Sequence, residues 1–425
     1  MEKLLKYYLI ISLLAFGLIS CSDSDNEKTE DTEKEYILKA EVTNKPGASV
    51  VVDNPNKIIT VKDVKKKDGW HDINIKLTLG QYVYMVKPTT EEATYNLAED
   101  AEIEVRYGAA GGKSIKYKVT IEDAENEIDP ESKGWKKTTE FGSLPEGITI
   151  YLSPDELQGK KVKACIAVAD MIKGRKYAIR GGDANGLKTP DKFYGEQQSS
   201  VIINGSYFYS TWNVGLLVKN GTVVRAANSQ EVTREGPDGT NVTYYPTRGI
   251  FSFTKDGKYQ VDWVYTVDDV IYGYPQPSPI VAGEAPQPKP SATFPAGAKE
   301  LKLQDAIGAG PVLVKNSKVQ NTYGEEIWDD AGGILPNGSH PRTAVGVTET
   351  LKVIYFVCEG RQATPGVAGL STKEVAEIML DLGCTDALNL DGGGSTCMLV
   401  NGRQTIKTSN TDGAQRAVAT ILTLN

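Results

Sequence analysis

Short apolar-rich runs mark the first part of the chain at residues 36–40, 49–52, 58–61, 73–77, 102–107 and 115–121, and apolar and polar positions alternate clearly in the last two. A period of two sends successive side chains to opposite faces of a strand, so each run predicts a β-strand, and the glycines between 108 and 112 supply a turn for the last two. Short strands at this spacing predict a small all-β sandwich over residues 36–125. Beyond the acidic, proline-containing stretch 122–130 the chain becomes richer in glycine and mixed in pattern, which predicts a second, α+β domain over residues 126–425. One helix stands out there. Ser371 and Glu374 have capping-box spacing, Val375, Ile378, Met379 and Leu382 share one helical face, and Gly383 ends the run. A strand at 387–390, a glycine turn and a strand at 397–400 follow, closed by Asn401-Gly402. Seven of the 20 prolines lie in 275–295, which bars both helix and central strand and predicts an extended surface loop over 275–298.

The start of the chain has a different logic. Lys3 and Lys6 precede an apolar run, 7–19, that ends at Leu18-Ile19-Ser20-Cys21. The run is short for a membrane span, and its layout is that of an export signal. Its end resembles a bacterial lipoprotein signal, which implies removal of residues 1–20, acylation of Cys21 and anchoring in a lipid bilayer. Residues 22–35 carry seven acids against two lysines and no apolar period, so they predict an acidic flexible tether. The strand-rich module behind it resembles the immunoglobulin-like modules at the front of secreted bacterial lipoproteins. Together these features predict a protein of the bacterial cell envelope, held at the outer membrane.

Charge and composition narrow the chemistry. The net charge is −8, but the tether holds −5 and the first 21 residues +1, which leaves the body at −4 and without the basic footprint that nucleic-acid binding needs. His71 and His340 are the only histidines, so multi-histidine metal sites are excluded, and little room remains for a nucleophile–histidine pair. That scarcity predicts no cofactor or transition metal, while an all-oxygen calcium site stays open. Besides Cys21, the cysteines are Cys165, Cys358, Cys384 and Cys397, without any C-x-x-C pair. They read as buried small apolar residues, with a bridge from Cys358 to Cys384 or Cys397 left open.

Chemistry therefore has to rest on carboxylates, arginines and backbone groups. Three consecutive glycines, 392–394, cost conformational entropy to order and imply backbone angles or close approaches that side chains forbid. Asp391 precedes them, and Ser395 and Thr396 follow. A strand follows where a dinucleotide loop needs a helix, so a phosphate-cradling loop of that kind is excluded. Polar residues set beside glycine and an apolar strand recur at 204–208, 308–311, 340–343 and 359–361. In this order, and above all in Asn389-Leu390-Asp391-Gly392-Gly393-Gly394-Ser395-Thr396, the set resembles the phosphodiester glycosidase family from about residue 145 to the C-terminus. The resemblance implies a cleft with Asp391, Arg342 and Glu359 as catalytic groups. It implies substrate binding by Asn204, Arg361, Asn389, Gly392, Gly393, Gly394, Ser395, Thr396 and Arg416. The sequence departs from the family pattern at Cys358-Glu359, where aspartate is more usual before Gly-Arg, and at Ser206-Tyr207, where Gly-Phe is frequent.

Such a site suits hydrolysis at the anomeric carbon of a glycosyl-1-phosphodiester, in which a carboxylate stabilises oxocarbenium-like charge and arginines hold the phosphate in paired hydrogen bonds. Asp391 then serves as base or nucleophile, and removing it or Arg342 is expected to abolish turnover with little loss of stability. The partner implied is a glycan or glycosyl phosphate. Two other classes compete. One is a non-catalytic glycan-binding envelope lipoprotein; the other, a phosphodiesterase cutting the P–O bond, usually needs metal ligands that this sequence lacks.

Overall fold

The computed structural model describes residues 34–64, 70–97, 101–122, 128–182, 186–226, 231–329 and 333–425. The expected signal, Cys21 and all but the last two residues of the tether lie outside them. Regular structure among the described residues is mostly β, with two α-helices, α1 (Pro190–Glu196) and α2 (Thr372–Asp381). This corrects the α+β expectation for residues 126–425. The glycine-rich stretches there carry short β-branched runs that pair into ladders, whereas a 3.6-residue period is sustained only through α2 and its cap.

Strands occupy all six expected runs near the N-terminus. They build a three-stranded sheet in the order Ile37–Val42, Ile73–Leu79, Glu92–Tyr95 and a five-stranded sheet in the order Ser49–Asp53, Ile58–Lys62, Lys113–Ile121, Ala101–Tyr107, Val83–Lys87. Both contribute to one apolar core, with Ile37, Ile73 and Ile75 from the first and Ile59, Val105 and Tyr117 from the second. Two of these strands escape a pattern reading. Val83–Lys87 is an edge strand whose outward residues, Tyr84 and Val86, are apolar and exposed, so no alternation shows; Glu92–Tyr95 is too short to display one.

Three antiparallel sheets of eight, five and seven strands follow. The eight-stranded one runs Lys318–Val319, Val312–Lys315, Cys384–Asn389, Arg342–Thr348, Lys352–Cys358, Ala164–Asp170, Ile148–Leu152, Lys136–Thr138. The five-stranded one runs Tyr177–Gly181, Thr420–Leu424, Val201–Asn204, Met398–Val400, Arg403–Gln404, and a seven-stranded one extends from Thr222–Arg225 to Lys299–Glu300. All three feed one core, represented by Ala167 and Val345, Val201 and Leu422, and Phe251 and Trp263. On the opposite face of the eight-stranded sheet, α2 buries Val375, Ile378 and Met379 against Leu313, Ala344 and Phe356. Its start is fixed locally by the reciprocal Ser371–Glu374 capping box, and Gly383 takes φ +85° just past its end. Burying each such aliphatic side chain contributes about 1.5–3 kcal/mol, which outweighs the intrinsic preference of so short a helix. Residues 275–298 hold neither helix nor strand, and Cys165, Cys358, Cys384 and Cys397 are all buried free thiols, so the bridge left open by the sequence is not formed.

Candidate functional site

The strand Cys384–Asn389 lies between Val312–Lys315 and Arg342–Thr348, and its last residues reach the edge where Val201–Asn204 of the five-stranded sheet also ends. Beyond it the backbone is stitched to both sheets: Leu390 N–H donates to Thr343 O at 2.8 Å, Asp391 N–H to Gly205 O at 3.0 Å and Gly393 N–H to Pro341 O at 2.9 Å. The chain then makes one 3₁₀ turn, Gly393–Ser395. A cavity of about 130 Å³ opens on this turn.

The glycines are required by what lies against them. A Cβ on Gly393, which has φ +58°, would sit 2.9 Å from Arg361 Nη2; one on Gly394 would sit 2.5 Å from Asn410 Oδ1 and 2.6 Å from Arg416 Nη2. On Gly392 it would meet Pro341 O at 2.8 Å. The turn is therefore a bare backbone floor on which two guanidinium groups rest. Both arginines are exposed, and neither forms an ion pair among the described residues. Arg361 Nε donates to His340 Nδ1 at 3.4 Å and Arg416 Nη1 to Ser395 Oγ at 3.4 Å, both long contacts that leave most of their N–H donors open.

Asp391 is half-buried between them. Burial pushes its carboxyl up to about 6, against the opposing pull of the Ser395 hydroxyl, the Arg416 and Arg361 charges and the Gly392 N–H. A carboxyl so placed changes charge near neutrality, as a catalytic base or nucleophile must. Burial and the flanking Arg342 and Arg361 charges lower the pKa of His340, which keeps its ring neutral at pH 7 and its Nδ1 able to accept from Arg361. Tyr207 completes the wall. Its hydroxyl donates to Gly310 O at 2.8 Å, its ring packs 4.8 Å from that of Trp328, and burial together with the Asp391 charge keeps the phenol protonated.

The expected residues separate into two groups. Asp391, Gly392, Gly393, Gly394, Arg342, Arg361 and Arg416 line the cavity; Asn204, Glu359, Asn389, Ser395 and Thr396 do not. Arg342, expected among the catalytic groups, stands on the cavity wall with its guanidinium committed to the scaffold. It is 3% exposed, and its guanidinium donates to Leu370 O at 2.9 Å, Ile334 O at 3.0 Å, Leu335 O at 2.6 Å and Gly338 O at 2.9 Å. Four bonds leave one of its five N–H donors uncommitted, too few for a bidentate grip on phosphate. Asn204 is buried behind the wall with its amide spent on Asp391 O at 2.5 Å, Thr343 Oγ1 at 2.7 Å and the Cys397 N–H at 3.1 Å. It positions Asp391 and cannot reach a ligand in the cavity. Glu359 is likewise buried, with Oε1 accepting from the Lys407 N–H at 2.9 Å and Oε2 without a partner among the described residues, so of these two carboxylates Asp391 lines the cavity and Glu359 does not. Asn389 spends its Nδ2 on Tyr207 Oη, Gly310 O and Leu390 O, each at 2.9 Å, while Ser395 and Thr396 are buried beneath the turn.

Other members of the wall are not signalled by sequence type. His340, Tyr207 and the 333–335 segment join through distant pairing, and His340 could be flagged only by its place beside Pro341-Arg342. Behind Tyr207, the fully buried Glu326 accepts from Gly249 N–H at 2.9 Å, Val312 N–H at 2.8 Å and Trp263 Nε1 at 3.1 Å, fixing the segment whose Gly310 carbonyl holds Tyr207. Among the described residues, no three His, Cys, Asp or Glu side chains come close enough to share a metal ion. What the cavity offers is an open pair of cations, a neutral imidazole and one carboxyl that titrates near neutrality.

Comparison with known proteins places this arrangement. The SPbeta prophage-derived uncharacterized protein YomE of Bacillus subtilis (strain 168) is 31% identical over 122 residues, which is 29% of this chain and 17% of that protein, so the chain spans well under two thirds of this relative. The solved catalytic domain of zebrafish N-acetylglucosamine-1-phosphodiester alpha-N-acetylglucosaminidase, auto-inhibited by its pro-peptide, is similar over 67% of this chain and 85% of that one, at 20% identity and a TM-score of 0.45. A hypothetical protein from Synechocystis is similar over 83% of this chain and 77% of that one, at 16% identity and a TM-score of 0.44. The sequence pattern of the phosphodiester glycosidases matches residues 197–424, beginning later than the resemblance from about residue 145 implies. That match covers more than half of the sequence and contains every residue lining the cavity, and by it the chain belongs to the phosphodiester glycosidase family.

Proposed function

We propose that this protein hydrolyses a glycosyl-1-phosphodiester at the anomeric C–O bond, releasing a free sugar and a phosphate monoester. The observation that carries the reading is the pair of uncommitted guanidinium groups, Arg361 and Arg416, resting on the glycine turn beside Asp391. Planar guanidinium donors suit the anionic oxygens of a phosphodiester, and fixed cations stabilise the charge that gathers on phosphate as the bond to the sugar breaks. The C–O electron pair leaves with the phosphate, which needs no strong acid. One carboxylate can then suffice. Asp391 either takes a proton from the water that bonds to the anomeric carbon or bonds to that carbon first, the sugar ester being hydrolysed afterwards. Both roles need it ionised. Asn204 and the backbone bonds of 390–393 hold it in place, and neutral His340 steers the Arg361 side chain.

We further propose that acylated Cys21 anchors the protein at the outer membrane, with residues 22–35 as tether and an immunoglobulin-like module over 36–125 as spacer. Labelled fatty acid should enter the wild type and not Cys21→Ala. Hydrolysis of a sugar-1-phosphodiester in ¹⁸O-water tests the main reading. Label is expected on the anomeric hydroxyl, with the phosphate monoester unlabelled. Label in the phosphate would show P–O cleavage, and saturable binding without turnover would leave a glycan binder.

A further inference from the structure

Just beyond Tyr207 in the sequence, the chain displays two aromatic rings that the fold does not cover. Tyr209 is 81% and Trp212 63% exposed, the most exposed large apolar side chains among the described residues. They face each other across a two-residue hairpin, with Tyr209 opposite Trp212 and Phe208 opposite Asn213. The hairpin is closed at its base by Val214 N–H donating to Tyr207 O at 2.8 Å, and Tyr207 is a wall of the cavity. Strand alternation places Tyr209 on the same side of the hairpin as Tyr207, two residues or about 7 Å further out, and directly cross-strand partners such as Tyr209 and Trp212 share a side. Arg225, on the edge strand Thr222–Arg225, sets its guanidinium carbon 6.0 Å from the centre of the Trp212 ring, and its Nε is buried without a hydrogen-bond partner among the described residues.

We propose that Tyr209 and Trp212 form a carbohydrate-stacking subsite that holds an oligosaccharide segment of the substrate continuous with the sugar phosphate in the cavity. The inference rests on the glycosidase reading for the identity of its ligand as sugar. Exposed aromatic rings suit the C–H faces of pyranoses, which pack on the electron-rich face of a ring as other partial positive charges do. A stable protein partner would require about 800 Å² from each side, far more than two rings supply. Continuity with the cavity argues in the same direction, because a chain of sugars leaving it past Tyr207 meets Tyr209 next. The Arg225 cation beneath Trp212 limits the ring's freedom, which lowers the entropy lost when a sugar stacks on it.

The test is titration of the full chain with the hexaoses of α-1,4-glucose, β-1,4-glucose, α-1,6-mannose and β-1,4-N-acetylglucosamine, followed by tryptophan fluorescence and calorimetry. At least one hexaose is expected to bind with a Kd below about 10 mM, and Trp212→Ala and Tyr209→Ala are each expected to weaken it roughly tenfold. Trp212→Phe should keep most of the affinity, and melting temperatures should stay at the wild-type value, since neither ring is part of a core. Failure of all four hexaoses to bind, or equal binding by the Trp212→Ala, Tyr209→Ala double variant, would overturn the proposal. These probes contain no phosphodiester, so they report on the hairpin whether or not the protein turns over. Ring-dependent binding without hydrolysis of any glycosyl phosphodiester would overturn the activity proposed above and uphold this subsite.

Discussion

Two arginines of one cavity are expected to behave in opposite ways when truncated. In Arg342→Ala, the carbonyls of Ile334 and Gly338 lose the arginine donor, while Leu335 O keeps a bond from Gly338 N–H at 3.0 Å and Leu370 O one from His340 N–H at 3.1 Å. Each orphaned or water-exposed carbonyl costs about 1–3 kcal/mol, and relief of the cation's own desolvation offsets part of the sum, so a net loss of about 2–3 kcal/mol is expected. For a domain of this size that lowers Tm by roughly 7 °C. Arg361→Ala removes an exposed side chain whose one hydrogen bond is 3.4 Å long, so Tm should move by no more than about 1 °C. Its kcat/KM on a glycosyl phosphodiester should nevertheless fall about 30- to 150-fold, the equivalent of a lost charge-assisted pair at 2–3 kcal/mol. Urea denaturation with fitted m-values, beside steady-state kinetics on the same preparations, separates the two. If Arg342→Ala melts with the wild type, or Arg361→Ala loses several kcal/mol, the division into scaffold and ligand-binding arginine is wrong.

Three further outcomes follow from the same geometry. Activity should rise with pH through about 6 as Asp391 ionises, and Asp391→Asn should abolish it. Because the folded pKa lies above the ordinary 3.8, protonation favours the fold: wild-type stability from this group is fully present at acid pH and is lost as pH rises through about 6, so Asp391→Asn should be the more stable protein at pH 8 and lose that advantage below about pH 4 in paired denaturation curves. Gly394→Ala should displace Arg416 and Asn410, lowering kcat/KM at least about tenfold while circular dichroism stays unchanged. A chain beginning at Ile128 should fold and keep its activity, since the N-terminal sheets close their own core, which only Ile172 reaches from beyond it among the described residues; inactivity of a folded Ile128 chain would mean that the module helps shape the cleft.

What the sequence determined by itself were the features whose causes are local. The capping box and apolar stripe of α2 lie within one short segment, and so do the six short apolar strand runs and the conformational demand of Gly392–Gly394 beside Asp391. Val83–Lys87 escaped because an edge strand with apolar outward residues has no alternation to read. The tertiary structure alone decided which polar residue does what. Arg342 and Arg361 look equivalent as arginines beside turns, yet one meets four carbonyls and the other meets almost nothing, because loop 334–338 folds over the first and the glycine floor leaves the second bare. Asn204 and Glu359 carry the chemistry of ligand binders, but partners from Thr343, Cys397 and Lys407, brought in by sheet pairing, consume it. Tyr207 and His340 reach the cavity through the same pairing. A hydrogen-bond donor binds a ligand only if the fold has left it unsatisfied, and that balance is set by residues tens to hundreds of positions away.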